Sequence, residues 1–66
     1  MTRAEAISRT LAAAIERRES LFAVYWGGYW NDRMTLEEVN HGVFKDVKSA
    51  HIIECRRDGT VVGDAS

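Results

Sequence analysis

Apolar residues recur at helical spacing over the first 18 positions, at Ala4, Ile7, Leu11, Ala14 and Ile15. That spacing predicts an amphipathic helix with one narrow apolar stripe. Thr2-Arg3-Ala4-Glu5 supplies a capping box for its start, in which the hydroxyl accepts from the Glu5 amide and the carboxylate reaches back. Arg17 and Arg18 fall where unpaired carbonyls favour cations. The stripe is built of small residues, so this helix needs a sheet to rest on.

The period then changes. Leu21 to Trp26 is β-branched and aromatic in character, with Leu21, Ala23 and Tyr25 on one face and Phe22, Val24 and Trp26 on the other. Apolar character on both faces predicts a central strand, or a strand with a partner on its second face. Gly27-Gly28 ends it by permitting positive φ. Tyr29 and Trp30, followed by the polar Asn31-Asp32-Arg33, have loop composition.

A short helix is expected over residues 36–41. Its capping box is Thr35-Leu36-Glu37-Glu38, Met34 and Val39 form a hydrophobic staple, and Gly42 is placed as a terminator. Residues 43–49 read as a loop. Ile52, Ile53 and Cys55 before Asp58-Gly59, and Val61 and Val62 after it, predict a hairpin with a type I′ turn. In that register Arg57 faces Thr60, Arg56 faces Val61 and Cys55 faces Val62. The expected fold is α+β, a single domain over residues 1–66 in the order α-β-α-β-β. Its three-stranded, largely antiparallel sheet carries the N-terminal helix on one face.

At 66 residues the core is small, since a chain of this length buries only about 60% of its unfolded surface. The single cysteine, Cys55, leaves no internal disulfide and argues against an oxidised secreted scaffold. A formal net charge of -1 is unlike the basic excess of a general polyanion binder. Arg9 and Glu16 interrupt any signal-peptide core, and no run approaches the ~20 apolar residues of a membrane span. A cytoplasmic location is the expectation, with no membrane partner.

Candidate chemistry is thin. Cys55 and His51 share a strand face, but four residues at about 3.3 Å separate their backbones by roughly 13 Å, too far to share a zinc ion held at about 2.0–2.3 Å. Cys55 reads as a small buried hydrophobe, and His41 as a cation at a helix end. Glu37 and Glu38 suit a helix's first turn. Gly27-Gly28 lacks the spacing of a phosphate loop. The expectation is a protein that is not an enzyme, with no metal and no cofactor.

Five of the six aromatic residues fall between Phe22 and Arg33. Phe22 and Trp26 are expected in the core. Tyr29, Trp30 and Arg33 are expected at the centre of a partner surface, because Trp, Tyr and Arg dominate interface hot spots. Arg56 and Arg57 are added to it as flanking cations. In size, mild acidity and helix-plus-hairpin layout the chain resembles small phage-borne inhibitors, including anti-CRISPR proteins. That likeness of general form transfers no functional residue, and implies a protein-binding module that occludes a surface on a larger protein. Two alternatives stand beside it. One is a single-stranded nucleic-acid binder using the pairs Arg17-Arg18 and Arg56-Arg57 with the aromatics. The other is a structural subunit forming a homodimer through a sheet edge at Thr60 to Gly63.

Overall fold

Helix α1, Arg3–Arg17, opens on the capping box read above: Glu5 N donates to Thr2 Oγ1 at 3.1 Å and Thr2 N donates to Glu5 Oε1 at 3.2 Å. It ends at Arg18, whose left-handed backbone (φ 58°) directs its amide onto Ala14 O. The computed structural model describes residues 1–41 and 51–63. Within them the order is α1, β1 (Leu21–Trp26), β2 (Tyr29–Met34), α2 (Leu36–Val39), β3 (Ile52–Cys55) and β4 (Val61–Val62). The sheet is therefore four-stranded, in the order β2-β1-β3-β4, with every neighbouring pair antiparallel.

The extra strand is β2, where a loop was expected. Its pairing Val24↔Asn31, Tyr25↔Trp30 and Trp26↔Tyr29 closes a tight hairpin over Gly27-Gly28, whose φ values are 71° and 85°. Backbone pairing to a strongly β-forming neighbour outweighs the polar composition of Asn31-Asp32-Arg33 on an edge strand. Two residues of β2, Asp32 and Arg33, stand opposite Ala23 alone, which makes a β-bulge, with Arg33 at φ 52°.

Over Leu21–Val24 β1 has both faces covered, whereas Tyr25 and Trp26 at its far end stay exposed. Helix α1 packs on Leu21, Ala23, Ile53 and Cys55, with Ile7, Leu11, Trp30 and Val61 around them. On the opposite face Val24, Met34 and Val39 form a second cluster with Phe22 and Ile52, so the Met34–Val39 staple brings α2 onto the sheet. The α2 capping box is formed as read, through Glu38 N to Thr35 Oγ1 at 3.2 Å and Thr35 N to Glu38 Oε1 at 3.0 Å. Gly42 and the loop 43–49 lie outside the described residues.

The inward face of the helix is shifted from the expected stripe, keeping Ala14 buried and Ile7 and Leu11 against the core. Ala6, Thr10, Ala13 and Ala14 are buried, whereas Ile15 is exposed. Small residues let the helix approach the strands closely, and Ile7 and Leu11 fill its flanks. The final hairpin also differs by one residue: Cys55 pairs Val61 and Glu54 pairs Val62. Only Gly59 (φ 91°) has positive φ there, Gly59 N donates to Arg56 O and Arg56 N to Thr60 O. This is a three-residue loop with glycine at its left-handed position, not the two-residue type I′ turn. The slip places Val61 on the α1 face, where it packs against the core.

Candidate partner-binding site

The β1–β2 hairpin carries its aromatics to the Gly27-Gly28 end of the sheet. Tyr25 and Trp30 oppose each other on the α1 face, ring centroids 5.4 Å apart, and His51 stands edge-on to Tyr25 at 5.6 Å. Trp26 and Tyr29 oppose each other on the other face. Tyr29 is 58% exposed, Trp26 41% and Tyr25 38%. Trp26 is thus not in the core as expected. It lies on the α2 face next to the turn, outside the cluster formed by Val24, Met34 and Val39. Trp30 is half-buried, with part of its ring against the α1 core. It is a core-flanking residue as well as a surface one.

Beside these rings runs a groove of about 520 Å³ along β2, walled by Tyr29, Trp30, Asp32 and Met34, with Met1, Asn31 and Glu38 completing it. The Asn31 side chain is turned onto β1, its Nδ2 donating to Val24 O at 3.2 Å and Trp26 O at 3.4 Å. The Asp32 side chain is 13% exposed. Its Oδ2 is buried and receives no hydrogen bond, although Arg33 Nε stands 3.2 Å away as an ion pair.

The bulge that sets Asp32 and Arg33 is tied to α1. Thr10 is fully buried; its hydroxyl donates to Ala6 O at 2.6 Å and accepts from Arg33 N at 3.0 Å. An amide displaced from the ladder is thereby satisfied from the helix. Nothing in the apolar stripe pointed to Thr10; a lone threonine between Ala6 and Ala14 on a helix of small residues is the signal in retrospect.

Of the five residues expected at the partner surface, Tyr29, Trp30 and Arg33 share β2. Arg56 and Arg57 do not join them. Leu21↔Cys55 pairing puts the β3–β4 turn at the opposite end of the sheet from Gly27-Gly28, next to the Arg17-Arg18 end of α1. Both arginine pairs therefore lie toward the Leu21 end of the sheet, away from the aromatics at Gly27-Gly28. Acids are mixed among them: Glu54 holds Arg56 at 3.3 Å, and Asp58 Oδ1 accepts from Thr60 N at 2.9 Å.

The Thr60 hydroxyl, and then its amide, hold the Asp58 carboxyl below its ordinary value, and the Thr2 amide does the same for Glu5. Burial pushes the Cys55 thiol up, with Glu54 adding to it. Among the described residues no group of three His, Cys, Asp or Glu side chains is arranged to hold a metal ion, and no helix is long and apolar enough to cross a membrane. Comparison with protein-family models, with curated proteins and with solved structures gives no match.

Proposed function

We propose that this chain is a small, non-catalytic protein-binding module that occludes a surface on a larger protein through the aromatic end of its β1–β2 hairpin. One observation carries the reading. Tyr25, Trp26 and Tyr29 remain exposed together at one end of a domain with little apolar material to spare. Rigid aromatic side chains on paired strands lose little entropy on docking and supply the area of an interface hot spot. Trp30 braces Tyr25 on the α1 face, and Arg33 lies further along the same strand. An inhibitor of the phage-borne kind would work in this way, by covering rather than by chemistry.

The nucleic-acid reading needs aromatics and arginines on one track, and here they stand at opposite ends of the sheet. Capture from a lysate of the source cell, with and without nuclease, tests the proposal. The chain should retain a protein after nuclease treatment. The double variant Trp26→Ala, Tyr29→Ala should lose that protein while keeping its circular dichroism spectrum. A folded double variant that captures the same protein would remove the hairpin end as the interface. Sedimentation of the isolated chain separates a second copy from a foreign partner.

A further inference from the structure

We infer that the outer edge of β2 takes up an extended, apolar segment of the partner protein as an added strand, an inference that rests on the protein-binding reading above. β2 ends the sheet among the described residues, so one side of its backbone has no ladder. The register says which groups that leaves. Both turn glycines have positive φ, and Trp26 pairs Tyr29 across them. In a two-residue hairpin of this kind the closing pair exchanges both of its hydrogen bonds, and bonded and unbonded pairs then alternate. Tyr29 and Asn31 therefore turn their backbone groups to β1, while Trp30 turns its N–H and C=O outward. No backbone hydrogen bond from another described element reaches either group.

The groove along β2 lies on that edge. Tyr29, Asn31 and Met34 belong to the α2 face of the sheet and Trp30 to the α1 face, yet all four line it. A cavity that touches neighbouring residues of both faces follows the outer backbone of the strand. Met1, before α1, and Glu38, in α2, complete the lining, so the edge is recessed. Two copies of one recess do not enter each other, whereas a single extended chain fits. Its alternate side chains meet Trp30 on one face and Tyr29 and Met34 on the other, which calls for apolar residues.

The devices that usually blunt an edge lie elsewhere. The bulge at Asp32 and Arg33 disturbs the ladder only beyond Asn31, and Tyr29-Trp30-Asn31 carries neither charge nor proline. The opposite edge is β4, and its two residues, Val61–Val62, are too short to guide a strand. Strand addition therefore falls at the hairpin end, where main-chain bonds join the contact made by the exposed aromatics.

The test screens the immobilised full chain against a random heptapeptide library and titrates the strongest binder into the isotopically labelled chain. The Trp30 amide resonance should move saturably, and its hydrogen exchange should slow. The peptide is then N-methylated at one backbone position at a time. Alternate positions should weaken binding about fivefold or more, because only every second amide of an added strand faces β2. A library with no binder, an unmoved Trp30 amide, shifts confined to Val61 and Val62, or a response to N-methylation without that alternation would each overturn the added strand. The capture experiment decides separately whether the hairpin end binds a protein. Loss of capture in the double variant, with no strand-like peptide found, leaves the protein-binding reading standing without strand addition.

Discussion

Thr10 links a helix to a strand through a single hydroxyl. Its hydroxyl joins the buried face of α1 to the bulge of β2, so one side chain fixes both helix position and strand irregularity. Thr10→Val keeps the shape and strands the Arg33 amide. It should cost about 1–3 kcal/mol, the usual penalty for a buried group left unpaired, read as a lower urea midpoint with unchanged slope. Arg33 is a different case. It holds φ 52°, a conformation that costs a side chain about 1–2 kcal/mol and glycine little. Arg33→Gly should therefore raise the midpoint slightly, despite losing the pair with Asp32. A lower midpoint would mean that the ion pair outweighs the backbone strain.

Among the elements, the two tryptophans of the first hairpin should separate cleanly. Trp30→Ala removes a half-buried ring from the α1 core and should cost about 2–3 kcal/mol, below the ~3–5 kcal/mol of a fully buried aromatic. Trp26→Ala, at 41% exposure, should cost less than half as much. Urea titrations of the two variants measure this directly, and a larger loss for Trp26 would contradict the burial seen here.

What was legible in advance follows the locality of the signal. Both capping boxes, the Met34–Val39 staple and the two-faced character of β1 depend on residues within a few positions, and each formed as read. β2 was not legible, because Asn31-Asp32-Arg33 takes its strand geometry from β1 and its irregularity from Thr10, 23 positions away. The hairpin register turned on whether Asp58 took positive φ. Its carboxylate instead accepts from Thr60 N, and the turn lengthens by one residue. At the candidate site, Tyr29, Trp30 and Arg33 were visible as a cluster. The separation of Arg56 and Arg57 from them needed the β1–β3 pairing, which nothing local announces.

For the molecule as a whole, pH should act through at least three groups among the described residues. Glu5 and Asp58 have lowered values when folded. Their contribution is complete above the ordinary 4.5 and 3.8 and is lost as pH falls through the folded values. Cys55 is raised from 9.0. Its buried neutral thiol is no handicap below that pH, but above it the unfolded chain ionises first and the fold weakens. Thermal melts should therefore fall off on both flanks of a broad neutral plateau. Cys55→Ala, which replaces the buried thiol by a smaller apolar group, should flatten the alkaline flank. An alkaline loss undiminished in that variant would assign it elsewhere.

The order β2-β1-β3-β4 makes the sheet two local hairpins joined along one seam, β1 against β3. Each hairpin closes over a short turn, while the seam pairs Leu21 with Cys55 and Val24 with Ile52, residues far apart along the chain. Closing that larger loop carries most of the entropic cost of the search, since the cost grows with the intervening length. Variants at the β1–β3 seam should therefore slow folding more than variants within either hairpin. Stopped-flow refolding would read that order as φ-values, and equal φ-values in the hairpins would overturn it. In that picture the sheet centre plays the part of an interface between two halves of one chain.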